Sequence, residues 1–498
     1  MKPIKKIVIA GGGTSGWLAA SILSHQFSRE QLEIELVESE QIGTIGVGES
    51  TIPPFVGLIN NLGINEKDFI KSVHGTFKVG IEFPDWSNKG DSYFHPFGSL
   101  GIKFGVHEFY QAWLKAKYEG NDSELQSFSP CNVMAKSNKF FPPQQAKNSP
   151  LSGASYALHV DASLVAKYLN QYCNDKGVVR TEGKIVHVQN HEDGRISSLK
   201  LDSGKEITGD FFIDCTGFSA LLIEKNMGIE YEDWLDYLPC DKAVAVQTKC
   251  SGEALPYTVS TARDHGWSWR IPLQHRVGNG YVYSSKHCSD EEAKKQLLEF
   301  IDGEPITEPV VIPFKAGIRK SIWNKNCLSL GLSSGFIEPL EATAIHLVQR
   351  SIDLFLKYYP DQECEPTHIE EYNRRMRMDY EEIRDFIVLH YCLTNREDTE
   401  FWKHCKTMDI PQGLKERIEL FKSHGNLREG IDELFRAPSW QSVFEGMNVR
   451  PQKYCPRVNN LDSEMINKVL NEAKESIQKV VDQLPTHQEF LDKNCKAN

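Results

Sequence analysis

Apolar positions follow two rhythms along this chain. Residues 4–10, IKKIVIA, form a short apolar run that stops at glycines, and the following stretch, WLAASILSHQF, places its apolar residues at helical spacing. A second apolar run, LEIELVE at 32–38, follows, so the opening predicts strand, helix, strand: a βαβ unit. Residues 184–201, KIVHVQNHEDGRISSLKL, predict two strands about a DG turn, leading through SGKEITG to the apolar strand FFIDC. Past residue 350 the rhythm changes. EEYNRRMRMDYEEIRDFIVLHYCL and SEMINKVLNEAKESIQKVVDQL carry apolar residues at helical spacing between charges, which predicts a mainly helical C-terminal third. No internal repeat or low-complexity linker interrupts the chain, so its modules are expected to interleave.

A length of 498 residues exceeds what one hydrophobic core organises, and 40% hydrophobic with 25% charged residues is the composition of a folded globular protein. A net charge of -12 and a pI near 5.8 argue against a nucleic-acid partner, which would call for clustered Lys and Arg. The N-terminus has no small-residue cleavage site before its glycines and no apolar run is of membrane-spanning length, so a cytoplasmic protein without a membrane partner is expected. The twelve cysteines include no C-x-x-C pair, which points to reduced, structural thiols and no metal site.

Gly11, Gly13 and Gly16, with Thr14 and Ser15 between them, form G-x-G-x-x-G where the first strand meets its helix. There backbone amides can approach a pyrophosphate at the positive end of the helix. Glu38 ends the next strand, where a carboxylate can accept hydrogen bonds from a ribose. The ordinary reading, a tight turn without a ligand, requires strand, helix and acid to coincide by chance. The motif alone does not separate FAD from NAD. Two later stretches favour the flavin: GDFFIDCTGFSALL carries Asp214 and Gly217, and NCLSLGLSSGF carries Gly331. Both resemble the returning strands that approach FAD in glutathione-reductase-like flavoproteins. No second fingerprint for NAD(P)H is found.

Several segments then converge: GGGTSGW at 11–17, GVGESTIP at 46–53, GTFKVGIEF at 75–83, GWSWRIP at 266–272, GFIEPLEATAIHLV at 335–348 and DFIVLHYCLTNREDTEFW at 385–402. In these, and in their order over most of the chain, the sequence resembles the flavin-dependent halogenases of the tryptophan halogenase type. The resemblance implies an α/β fold with a discontinuous, Rossmann-like FAD module of glutathione-reductase type at 1–80, 155–225 and 320–360. A substrate module at 81–154, 226–319 and 361–498 would combine a mixed sheet with helices towards the C-terminus.

The resemblance also distributes roles. Lys78 has apolar neighbours Phe77, Val79 and Ile81, and burial among such residues lowers a lysine pKa; it would receive hypohalous acid through a tunnel from the flavin and deliver the halogen. Unaided, the residue reads as an ordinary solvated strand lysine. Glu341 would orient the halogenating species and take the ring proton; on local signals it is also a helix N-terminal charge. The amides of Thr343 and Ala344 would bind the halide, chloride or bromide. Many members have Ser-Thr-Gly where this chain has Ala342, Thr343 and Ala344. Gly48 and Glu49 would belong to a strap over the flavin. Trp267 and Trp269, two apart, share one face of a strand and would wall the substrate off from the flavin, although aromatic pairs also build ordinary cores.

His95, Phe97 and Trp440 are candidates for an aromatic ring pocket, against the ordinary reading of core packing. The expected substrate is a small aromatic of indole type; no counterpart is found to the Tyr- and Glu-containing segment that holds free tryptophan in specific members. FADH2 would come from a separate flavin reductase, and a homodimer is compatible with the resemblance. Asp161 caps a helix and receives no chemistry. The rival readings are a flavin-dependent aromatic hydroxylase, which needs neither Lys78 nor the tryptophan pair, and a flavin-binding regulator without turnover.

Overall fold

A computed structural model describes residues 2–40, 48–146, 148–428, 430 and 432–497. Gly46 and Val47 of the expected strap lie outside these residues. The chain divides into two compact units, each assembled from three segments: 1–73, 160–235 and 314–381 in the first, and 74–159, 236–313 and 382–498 in the second.

In the first unit, strand Lys6–Ala10 stands at the centre of a six-stranded sheet, parallel to Glu33–Glu38 on one side and to Phe211–Asp214 on the other. Cys327–Ser329 extends the sheet in parallel beyond Phe211–Asp214, and Val179–Glu182 beyond Glu33–Glu38. Helix Thr14–Gln26 connects the first two strands and is buried continuously from Gly16 to Ser24, which accounts for its lack of a polar face. The DG turn joins Ile185–Asn190 to Ile196–Leu201 as expected, and Glu206–Thr208 makes a third strand of that meander. Its Ile196, Leu199 and Ile207 pack with Val8, Val37 and Phe212 in a core beside the large sheet.

In the second unit, a seven-stranded sheet runs in the order Val310–Pro313, Lys242–Thr248, Val277–Tyr283, Gly266–Pro272, Thr258–Arg263, Gly80–Pro84 and Ser92–Pro96. Helix Asp290–Phe300 packs Ala293 and Leu297 against Val244, Tyr281 and Tyr283 of this sheet. A short strand, Thr76–Lys78, pairs antiparallel with Ala157–Asp161, setting Thr76 opposite His159 and Lys78 opposite Ala157. The second unit begins at residue 74 and so includes Lys78. Helices Gln412–His424, Ala437–Gly446, Ser463–Asp482 and His487–Asn494 supply much of the remainder. All twelve cysteines are free thiols. Among the described residues no helix is long and apolar enough to cross a membrane, and no cluster of three His, Cys, Asp or Glu side chains could hold a metal ion.

Candidate active site

The first unit gathers most of the nucleotide-binding candidates at the C-terminal ends of its parallel strands, where open α/β sheets bind ligands, whereas Gly48 and Glu49 lie on a strand of their own, Gly48–Ser50, outside that sheet. Gly11 donates to Val37 O (2.8 Å), Cys215 donates to Ala10 O (2.8 Å) and Leu330 donates to Asp214 O (2.9 Å), so four strand ends are tied side by side. Glycine is required where the backbone closes on itself. Gly11 has φ +109°, and a Cβ there would lie 2.2 Å from Cys215 O; a Cβ on Gly16 would lie 1.9 Å from Gly11 O. Gly13, at the helix N-terminus with an ordinary φ of -72°, has nothing within 4 Å of its Cβ position. The turn is therefore tight behind and open in front, a cradle suited to a pyrophosphate.

Glu38 accepts a hydrogen bond from Arg180 Nε at 2.6 Å, and the same guanidinium bonds Glu40 and Glu182, so the acidic residue at the strand end is held in place. Asp214 is fully buried and its carboxylate is committed to the protein: it accepts from the amides of Thr216, Leu222 and Ile223 and from the hydroxyls of Thr216 and Ser333. Asp214 thus fixes the loops bearing Gly217 and Gly331 (φ +66° and +60°) and would reach a ligand only through them. Burial and the Asp161 carboxylate push Glu49 up to about 7. Asp161 caps helix Ala162–Asp175 through the amides of Ser163 and Leu164.

Glu341 is buried at the end of a turn, Pro339–Glu341, that precedes helix Ala344–Lys357. Ala342 between them has φ +58°, a left-handed conformation that costs a non-glycine residue about 1–2 kcal/mol. Thr343 is the N-cap, and the amides that begin a helix have no partner within it, which leaves donors at this end for an anion. His346, in the first turn, has a buried Nδ1 without a hydrogen-bond partner, and burial followed by the charge of Arg350 pushes it down to about 4.

The second unit carries Lys78, which is 0% exposed. Its Nζ stands 5.0 Å from the centre of the Phe97 ring. His95 belongs to an aromatic cluster: Phe386 lies 5.5 Å from it, Phe435 stacks on Phe386 at 3.8 Å, and Trp440 meets Phe386 edge-on at 4.9 Å. His95, Phe97 and Trp440 were expected here from sequence; Phe435 was not, and Phe386 lies within the 385–402 motif. Trp267 and Trp269 share one face of their strand with ring centres 6.1 Å apart, while Ser268 on the other face accepts from Arg263 Nε. Gly280 on the adjacent strand makes room for this pair: a Cβ there would lie 2.1 Å from the Trp269 ring.

Two histidines not singled out from sequence flank the lysine strand. The Thr76 hydroxyl donates to Pro272 O (2.7 Å), so it accepts from His159 Nδ1–H (2.9 Å), leaving His159 Nε2 to accept from the Thr258 hydroxyl (2.9 Å). Burial, then the charge of Lys78, holds His159 well below the usual histidine range. His487 is also neutral: its Nδ1–H donates to Ala254 O (2.8 Å), its Nε2 accepts from the Phe77 amide (3.1 Å), and burial pushes it down to about 4.

These bonds set a pH dependence. Unfolded His487 binds a proton near 6.5 but the folded form only near 4, so its stabilising contribution is complete above 6.5 and falls away as the pH drops through that window. Its size is about 3 kcal/mol. Glu49, raised in the fold, acts in the opposite sense as the pH rises from 4.5 to about 7. The contribution of His487 is therefore read as the difference in denaturant-unfolding free energy between wild type and His487→Gln: the wild type should lose more stability on acidification.

The sequence model of the tryptophan halogenase family matches residues 6–463. Tryptophan 7-halogenase RebH of Lentzea aerocolonigenes is 32% identical, covering 98% of each chain. Tryptophan 6-halogenase SttH of Streptomyces toxytricini is also 32% identical, over 98% of this chain and 97% of its own. Among solved structures, a flavin-dependent halogenase from Xanthomonas campestris superposes with a TM-score of 0.96 at 41% identity, covering 100% of this chain and 99% of that one. BrvH, a flavin-dependent halogenase from Brevundimonas sp. BAL3, gives 0.95 at 39% identity, covering 98% and 99%.

Proposed function

This chain belongs to the tryptophan halogenase family, and on that premise we propose that it halogenates an indole-type ring, with Lys78 delivering the halogen and Glu341 taking up the ring proton. The observation that carries this reading is a fully buried lysine whose amine lies over Phe97, in the same unit as the cluster of His95, Phe386, Phe435 and Trp440.

The cradle described above suits a dinucleotide: Gly11, Gly13, Thr14, Ser15 and Gly16 would hold the pyrophosphate of FAD, Glu38 a ribose, and Gly48, Glu49, Gly217 and Gly331 would border it. FAD held there in reduced form, delivered by a separate flavin reductase, would supply the two electrons with which dioxygen becomes able to oxidise halide to hypohalous acid, the second oxygen atom leaving as water. The amides of Thr343 and Ala344 hold the halide in place, helped by the positive end of their helix. The Lys78 amine holds the hypohalous acid by hydrogen bond or as a haloamine and presents the halogen to one ring carbon, so the ring position modified follows from proximity. As the new carbon–halogen bond forms, the halogen separates from oxygen or nitrogen, and Glu341 accepts the proton that the ring loses on regaining aromaticity. Trp267 and Trp269 keep the organic substrate apart from the oxidant's source, which disfavours direct hydroxylation.

The test supplies reduced FAD, oxygen, bromide and indole and examines the product by mass spectrometry. A bromine isotope doublet is the expected outcome; a gain of one oxygen without bromine would contradict the reading. Glu341→Gln, which keeps shape and removes the base, should lower kcat about 100-fold with KM for the arene nearly unchanged, as steady-state kinetics would show.

A further inference from the structure

The strand bearing Lys78 is only three residues long and pairs on one side, through Thr76–Lys78 opposite Ala157–His159. A strand this short does not hold a side chain firmly by its ladder alone. Its other edge is met by groups distant in sequence: the Val79 amide donates to Pro256 O (2.7 Å), and the Phe77 amide donates to the ring nitrogen Nε2 of His487 (3.1 Å). His487 opens the helix His487–Asn494, whose N-terminus is fixed by a capping box between Thr486 and Glu489. The ring is held at its far side by Ala254 O, and its own amide donates to Asn138 O (2.8 Å).

A second tie follows from the same segment. Gln274 Nε2 donates to Gly75 O (2.7 Å) and to Cys495 O (3.0 Å), while its Oε1 accepts from the Ala497 amide (2.7 Å). Residues 486–497 thus grip the lysine strand at Phe77 directly and, through Gln274, the residue that precedes it, Gly75. Around the first grip, Phe77 stacks on Phe140 at 4.0 Å and meets Phe490 of the same helix at 5.4 Å.

From this geometry we infer that His487 is a positioning residue for Lys78: by accepting the Phe77 amide it fixes the backbone from which the amine projects. The inference rests on the delivery role proposed for Lys78. Only a neutral ring with a bare Nε2 can do this, since Phe77 N–H is a donor and a protonated imidazole would oppose it with another donor. His159 braces the neighbouring residue through Thr76, whose side chain lies on the same face of the strand as that of Lys78. Delivery of a small electrophile to one ring carbon depends on distance, and a misplacement of about 1 Å can cost about 100-fold in rate.

The test compares His487→Phe, which keeps the ring's packing and loses the acceptor, with His487→Gln, whose amide can accept from Phe77 and donate to Ala254 O. The full chain with FAD is assayed for halogenated indole formed per reduced flavin consumed, and for amide hydrogen exchange across residues 76–79. His487→Phe should lower the product yield about tenfold and speed exchange in that segment, with FAD affinity unchanged, and His487→Gln should restore both. Should His487→Phe be recovered unfolded, Gln274→Met, which cuts the second tie, is read in the same assays and should likewise lower product yield and loosen 76–79. Unchanged yield and exchange in the readable variant, or no restoration by glutamine, would overturn the inference. Lys78→Met run alongside separates the two failures: if it retains product the delivery role itself is wrong, whereas loss with Lys78→Met but not with His487→Phe overturns the positioning role alone.

Discussion

Lys78→Met is expected to lower halogenated product by at least about 100-fold while leaving FAD binding and the fold intact. Methionine has nearly the length and volume of the lysine stem, so a side chain that is 0% exposed and lies over Phe97 can be replaced without opening a cavity. Thermal melting of the variant checks that the fold survives the exchange. What is lost is the only group on this strand able to bind or carry a halogen electrophile. Product quantified by chromatography, with flavin binding followed by fluorescence, separates this outcome from general damage.

Nearly as large an effect is expected at Gly11 and Gly13, which should both lose FAD affinity but part in stability. Gly11→Ala adds a Cβ 2.2 Å from Cys215 O at φ +109°, so the join between the first strand and its neighbour must open, and both stability and FAD binding should fail. Gly13→Ala adds a Cβ that meets nothing within 4 Å, at a backbone angle any residue adopts. The apoprotein should therefore melt as wild type does, yet FAD should bind at least about tenfold more weakly because the methyl stands where the pyrophosphate approaches. Melting curves of the apoproteins and flavin titrations check both halves; equal FAD affinity in Gly13→Ala and wild type would contradict the placement of the cradle.

The nucleotide half was legible because its signals are local: an apolar run, glycines, a helix and an acid at a fixed interval lie within forty residues. The meander about the DG turn was legible for the same reason. The seven-stranded sheet was not. Val277–Tyr283, VGNGYVY, is buried along its entire length, and a strand covered on both faces lacks the alternation that marks a half-exposed one. Lys78, Glu341 and the tryptophan pair emerged through resemblance, since a lone lysine in an apolar stretch has no chemistry of its own. Asp214 was found as a strand-end acid near a ligand, but its five internal hydrogen bonds are a property of the loops it anchors. The least legible feature was the support of Lys78. Phe77 and His487 are 410 positions apart, and no periodicity links a strand to a side chain on the last helix.

If the halogen passes through one buried amine, that amine controls how bromine partitions between indole and water. Wild type and Lys78→Met are each given reduced FAD, oxygen, bromide and indole in the presence of a water-soluble scavenger of hypobromous acid, and bromine is counted on both acceptors. Wild type should place bromine chiefly on indole, while Lys78→Met should still oxidise bromide but yield it to the scavenger. The same partition in both proteins would contradict passage through that amine.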